Sequence, residues 1–464
     1  MFNTEQGFMD ALYGIYVNMG KSDLYGGTLQ TALDMTAQYY SYYDISECPY
    51  GHYQTFEYEH PSCTAISDAL WMRIYYCIGL TNNLLKYLDK PEAVQICSNY
   101  DYLRGEALAL RAYLHFELIR IFAPDVKKNP EYKSIPYRKT FSPDIEPQLK
   151  VKEVYQEILA DLTEAKQLLS NDVIRTNGPD WLGESEKKEE SDDVTDKNEG
   201  YYTSDFLKTR KYRMNYYAVL GTLARVHLTL GTTDDMEKAY DYAMEVIESG
   251  KFRPIQEEHI LVSGEQAKYR DILFTDEFIF GLYSAQVDAF YKSNFDESYG
   301  VKKILINKLS DIYGQGTRDL RQTHWFKTSW GTSYLLKHNA DLEYAKEKVR
   351  MITLAEMYYI AAEAHPAEAY DLLEEILPSR EIHSSLPVNA GRTEVLTEVL
   401  KEYRKEYIGD GQFFYAYKRL IEEEAAILPL GINIPNENKV LVWPLPQDEI
   451  KYGDRESGIW KTEK

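Results

Sequence analysis

LRGEALALRAYLHFELIRIFAP, residues 103–124, is the stretch whose reading decides the fold. Ala107, Leu110, Leu114, Leu118 and Ile121 recur at helical spacing and form one apolar stripe, while Ala109, Ala112, Tyr113 and Phe116 form a second beside it. Two stripes predict contact with neighbours on two sides, and the alanines permit close backbone approach. Arg104, Glu106, Arg111, His115, Glu117 and Arg120 fill most of the remaining turns; Arg111 and His115 read as structural rather than catalytic. Pro124 cannot continue the helix and ends it. Such a helix belongs in a layered helical array.

The chain has 464 residues, with 52 basic against 74 acidic side chains and a net charge of −22. A surface of that sign repels nucleic acid and gains nothing from an anionic membrane. No run of about 18 apolar residues marks a membrane-spanning helix. The opening MFNTEQGF carries neither a basic nor an apolar leader segment, which fits a cytoplasmic protein or an exported one lacking its leader. The four cysteines, Cys48, Cys63, Cys77 and Cys97, match no metal-binding spacing. Cys77 falls in a helical segment as core, and Cys48 and Cys63 flank a loop across which a disulfide is one option.

Helices dominate the rest. Glu5–Met19 is amphipathic, and a helix over about Ala69–Leu88 carries Trp71, Tyr75, Ile78 and Leu85 on one stripe, with Asn82 inside it as a tie between helices. Val151–Leu169 shows another one-sided face. Met214–Gly250 reads as a tetratricopeptide-like hairpin: Gly231 ends its first helix, Asp234 or Asp235 caps the second, and Ala224, Ala239 and Ala243 stand where such hairpins need small residues. A looser version recurs at Met351–Leu377. Insertions break any regular period. Gly183–Gly200 is highly charged and reads as a solvated loop rather than a calcium site, and Tyr283–Leu335 reads as loops with short strands.

Catalytic motifs are missing. GIYVNMGKS, residues 14–22, has one residue too many for a phosphate loop and follows a helical pattern, and no GxSxG, HExxH or CxxC occurs. Aromatic usage is the positive signal, with 41 tyrosines against 16 phenylalanines. Tyrosine joins a flat apolar face to a hydrogen-bonding tip and suits half-wet surfaces. Those on helix stripes, such as Tyr75, Tyr217, Tyr240 and Tyr358, are core packing. Those outside helical patterns fall in Thr36–His60 (Tyr39, Tyr40, Tyr42, Tyr43, Tyr50, Tyr53, Tyr58) and later, with Tyr291, Trp325, Trp330 and Tyr334. A sugar ring offers a C–H face to such a platform and a hydroxyl rim to nearby Asp, Asn or Arg, and each stacked ring contributes on the order of 1–2 kcal/mol.

The chain resembles the SusD/RagB family of outer-membrane lipoproteins of the Bacteroidetes over nearly its whole length. The resemblance rests on motif order: Arg104-Gly105-Glu106-Ala107 through Arg111-Ala112-Tyr113 and Phe116; Val154 to Leu162; Lys238-Ala239 to Val246-Ile247-Glu248-Ser249-Gly250-Lys251-Phe252; Asp276 to Phe280; Leu354-Ala355-Glu356 with Ala362-Glu363-Ala364; Arg404-Lys405-Glu406 with Gly411 to Phe414 and Lys418-Arg419; and Trp443-Pro444-Leu445-Pro446-Gln447 with Glu449-Ile450. Ala123 and Tyr452-Gly453-Asp454 depart from the usual residues. The family implies an all-α-dominated, tetratricopeptide-like helical-repeat superhelix with an irregular, loop-rich ligand face and a few short strands. It implies one domain over 1–464, with scaffold at about 61–260 and 345–420 and ligand segments at about 36–60 and 275–345. It further implies a non-catalytic glycan-binding protein, without cofactor or metal, anchored by a lipid on a cysteine not in this chain. Such a protein hands oligosaccharides to a SusC-like TonB-dependent transporter. From position and chemistry, the expected ligand residues are Tyr42, Tyr43, Asp44, Tyr50, Tyr53, Tyr291, Trp325 and Trp330. A peptide-binding relative and a generic helical-repeat scaffold are the alternatives.

Overall fold

The computed structural model describes residues 1–42, 48–182, 205–295, 304–306, 309–316, 318–420 and 438–460. Its main elements, in chain order, are α1 (Glu5–Met19), α2 (Thr28–Thr36), β1 (Tyr40–Tyr42), α3 (Pro61–Leu88), α4 (Tyr100–Phe122), α5 (Val151–Leu168), α6 (Tyr216–Leu230), α7 (Thr233–Glu248), β2 (Phe278–Tyr283), α8 (Val287–Phe295), β3 (Ile304–Ile306), α9 (Leu320–Trp325), β4 (Phe326–Ser329), β5 (Thr332–Leu335), β6 (Lys348–Thr353), α10 (Leu354–Ala364), α11 (Ala369–Ile376), α12 (Arg392–Glu406) and α13 (Gln412–Leu420). The architecture is the predicted one: helices in layers, with short strands confined to one irregular region.

Helix α4 lies at the centre, flanked by α3 and α5. Every side chain from Gly105 to Phe122 is buried, not only the two apolar stripes. A Cβ on Gly105 would meet the Leu169 side chain at 2.8 Å, so a layer packs directly on its backbone. The polar residues between the stripes survive burial because each is partnered. Glu106 binds Arg210 and the Tyr16 hydroxyl (2.7 Å). Arg111 reaches Asp161 through Nε and Nη2 at 2.7 and 2.8 Å. His115 Nδ1 bonds the Arg111 carbonyl and Nε2 accepts from the Arg138 N–H, an arrangement that fixes the neutral imidazole. The last carbonyls of α4 receive the Lys418 ammonium, at 2.7 Å from Arg120 O and 2.6 Å from Ala123 O. Asn82 is a tie as expected: it donates to Arg138 O and accepts from Arg111.

The hairpin α6–α7 turns at Gly231, whose φ of +68° is the left-handed conformation that favours glycine. Thr232, not Asp234 or Asp235, caps α7; Asp235 completes the box by accepting from the Thr232 N–H. Helix α3 starts at Pro61, earlier than Ala69, because Pro61 is preset for a first helical position and His60 accepts from the Ser62 N–H. All four cysteines are buried and free, so the optional Cys48–Cys63 bridge is absent.

The irregular region holds three antiparallel pairs: β1 with β3 (Tyr40 opposite Ile306), β2 with β6, and the hairpin β4–β5. The stretch from Tyr283 to Leu335 also contains α8 and α9, which its mixture of Gly, Ser and aromatics disguised. The charged stretch 183–200 lies outside the described residues. This region is locked to the scaffold by a buried charge cluster centred on Glu406, itself fully buried. Its carboxylate accepts from Arg321 of α9 (3.0 Å), Arg350 of β6 (2.7 Å) and Arg380 (3.2 Å). Glu402 and Asp319 also take Arg321, and Glu277 takes Arg380. Burial raises the Glu406 pKa, but Arg380, Arg350 and Arg321 together outweigh it and hold the group well below its ordinary value.

Two stability predictions arise here. Glu406→Gln leaves three buried guanidiniums short of charge and is expected to lower the unfolding free energy in urea by about 3–5 kcal/mol, the loss typical of a broken buried pair. Burial also lowers the His115 pKa to about 3. Below the ordinary value of about 6.5 the unfolded chain takes up a proton that the folded chain refuses, so this contribution to stability falls as pH drops from about 6.5 toward 3. Relative to wild type, His115→Gln is therefore expected to gain up to about 1.4 kcal/mol per pH unit on acidification through that window.

Candidate ligand-binding face

Between α8, the hairpin β4–β5 and the segment 336–341 lies a groove open to solvent, about 300 Å³ in volume. Helix α8 is held at its start by Ser284, whose Oγ accepts from the Val287 N–H (3.1 Å) and donates to Gly20 O. One helical turn on, Tyr291 packs its ring against His338 (centroids 4.0 Å) and Phe295 (5.1 Å), and its hydroxyl donates to Gly409 O at 2.8 Å. Gly409 has φ +86°, and a Cβ there would meet the Leu335 side chain at 3.0 Å, so the turn under the groove requires glycine. Burial lowers the His338 pKa to about 3 and keeps the ring neutral.

The groove walls mix flat and polar groups. Tyr334 of β5 is half-exposed and stands opposite Lys327 of β4. Lys292 and Asp288 line the helix side, and Asn339 and Asp341 close the far end. Two lysines against two aspartates leave the lining balanced in charge. Asp288 accepts from the Glu347 N–H at 3.1 Å, and its burial raises its pKa. These groups offer donors and acceptors around aromatic surface, the complement of a ring bearing hydroxyls. Among the described residues no group of His, Cys, Asp and Glu converges as a metal site.

The hairpin ends in a two-residue turn, Trp330-Gly331, with φ of +52° and +78°. Positive φ at both positions is a type I′ turn, which normally takes Asn, Asp or Gly. Trp330 occupies the first of them and is fully exposed. It lies three residues from Lys327 and four from Tyr334, about 10–14 Å along the strands.

The other expected ligand residues divide sharply. Tyr42, on β1 opposite Ile304, is half-buried. Tyr43 and Asp44 lie outside the described residues. Tyr291 is 4% exposed and shows the groove little more than an edge. Tyr50 and Tyr53 are core: Tyr50 meets Thr28 Oγ1, and Tyr53 bonds Cys63 O and Ser67 while packing on Trp443 at 4.6 Å. Trp325 is core as well, with its indole N–H donated to Ile272 O, Phe274 at 5.2 Å and the Lys337 ammonium 4.1 Å from its ring centre. A sugar has no access to these three rings. Tyr334, Lys292, Lys327, Asp288, Asn339 and Asp341 escaped the site assignment, although a Trp-Gly pair between β-prone runs is a readable hairpin signal.

The sequence profile of a SusD-like family, described as "Starch-binding associating with outer membrane", matches residues 15–178. Among curated proteins none matches the sequence. Solved structures match over almost the full length. A SusD superfamily protein from Bacteroides vulgatus ATCC 8482 is 21% identical with a TM-score of 0.72, covering 99% of this chain and 100% of its own. One from Bacteroides thetaiotaomicron VPI-5482 is 20% identical with a TM-score of 0.70, covering 97% and 98%. A SusD-like carbohydrate binding protein from Bacteroides vulgatus ATCC 8482 is 19% identical with a TM-score of 0.66, covering 90% and 83%. These likenesses give the fold end to end.

The turn generates a prediction of its own. Trp330→Gly removes a left-handed non-glycine residue that packs on nothing, and is expected to leave stability unchanged or raise it by up to about 1 kcal/mol in thermal or urea unfolding.

Proposed function

We propose that this SusD/RagB-like chain is a cell-surface, lipid-anchored oligosaccharide-binding protein that takes its ligand in the groove beside α8 and hands it to a TonB-dependent outer-membrane transporter. The observation that carries the reading is Trp330. A large aromatic held in a strained turn, with no packing role, at the tip of the hairpin whose strands line the groove with Lys327 and Tyr334, is a local rule broken where function rewards it. Tyr334 supplies a second ring face, and the balanced aspartates and lysines bond hydroxyls without demanding a charged sugar. The starch-binding description of the matching family and the likeness to a SusD-like carbohydrate binding protein support the ligand class. Transfer to a transporter, the lipid anchor and the absence of catalysis come from the family resemblance alone.

Calorimetry against a panel of oligosaccharides tests binding. Trp330→Ala and Tyr334→Ala are each expected to weaken a bound saccharide by about tenfold, matching the loss of 1–2 kcal/mol from one stacked ring, with unfolding midpoints unchanged. Failure of the intact chain to bind any saccharide, or a peptide carried through purification, would sink the reading. Co-purification of a TonB-dependent transporter with the tagged chain from its native host tests delivery.

A further inference from the structure

A second recess, sharing no residue with the groove, lies between the segment 177–181 and the segment 250–259 that follows α7, with Asp276 beside them. It is open to solvent and is bounded by Asn177, Trp181, Arg253, Gln256, Glu258 and His259, among others. Trp181 is half-buried on its wall. The backbone on both sides of it is tied to one neighbouring segment: Thr209 N–H donates to Trp181 O at 2.9 Å and Lys211 N–H to Pro179 O, while the Lys211 ammonium pairs with Asp180 at 2.6 Å. The backbone that carries the ring is therefore held in place, and the indole N–H bonds to nothing among the described residues.

The polar groups around it have spare capacity of both kinds. The Arg253 guanidinium and the Glu258 carboxylate make no ion pair among the described residues. His259 Nδ1 engages Asp276 at 2.9 Å, which leaves Nε2 unbonded. Gln256 donates its amide to Pro254 O and retains its oxygen. Apart from Trp181, Pro179 is the only large apolar side chain on the wall, too little for a peptide's apolar residue or an acyl chain. Acidic and basic groups alternate, which disfavours a polyanion. Hydroxyl groups donate and accept at once, and this lining matches them.

We infer that this recess is a second, independent binding site for a neutral saccharide, with Trp181 as its stacking platform. It shares the ligand class of the proposed function but does not depend on the groove. Two such sites on one chain would grip a long polysaccharide at two points, raising its retention without new contacts at either.

Affinity electrophoresis of the full chain in gels containing amylopectin, xylan, galactomannan or inulin tests this, followed by calorimetry with a short oligosaccharide of whichever polymer retards it. The expected result is a loss of polymer affinity of about a hundredfold or more in Trp181→Ala (the lower end of an avidity gain), recovered in large part by Trp181→Phe. Two oligosaccharides are expected to bind per wild-type chain, and in each of Trp181→Ala and Trp330→Ala one of the two is expected to keep its affinity while the other weakens by about tenfold. Unchanged polymer affinity in a folded Trp181→Ala, a wild-type stoichiometry of one abolished by Trp330→Ala, or no retardation by any of the four polymers overturns the inference. If Trp181→Ala alone abolishes binding, this site stands and the groove reading falls.

Discussion

A single carboxylate, Glu406, holds the two halves of this protein in register. It is out of contact with water and is bound by guanidinium groups arriving from α9, from β6 and from the turn at Arg380. A charge so buried loses its hydration, and only near-complete pairing restores what was lost. The cluster therefore tolerates one arrangement of its elements and few others. Since α12 belongs to the helical array while α9 and β6 carry the irregular region, the geometry of the ligand face is set by an ionic joint inside the molecule. The same device recurs in smaller form at Arg210 with Glu106 and Asp172, and at Arg225 with Glu356.

This explains how the chain affords so many charges at its centre. Asp101 and Arg104 remain near the surface, but the polar residues from Glu106 to Arg120 are buried, each matched by a charged group, a backbone group or a tyrosine hydroxyl. The tyrosine surplus finds its main use here. Tyr25 and Tyr415 both donate to Glu117, Tyr16 to Glu106 and Tyr137 to Asp161. A phenylalanine core could fill the same volume but could not satisfy those carboxylates.

The helical array was legible because its signals are local. Stripe spacing, the glycine stop at Gly231 and the small residues of α7 report on neighbours a few positions away. The ligand face was legible only in outline, because the fate of its aromatics depends on distant partners. Trp325 and Trp330 are five residues apart and look alike in sequence. One is sealed by Ile272, Phe274 and Lys337, the other stands in solvent at a turn. Nothing within reach of Trp325 along the chain announces its burial. Tyr50 and Tyr53 illustrate the same point: a cluster of tyrosines outside helical periodicity can mark a wet face or a polar-tipped core, and here these two belong to the core. Trp330 was the exception, since the glycine after it betrays the turn.

The pairing of β1 with β3 has a consequence for how the protein is made. Tyr40 finds its partner in Ile306, so a ribosome must add about 260 further residues before the strand can close, on the order of 10–50 s at ordinary rates. Throughout that interval the edge of β1 and the buried tyrosines around it are exposed, while α3, α4 and α5 can already pack on one another. The ligand face thus closes long after the first helices are made, and the Glu406 joint that fixes it is added later still. A nascent chain halted short of Ile306 is a half-built helical array with an open, sticky rim, the state in which a chaperone or an export machine meets it.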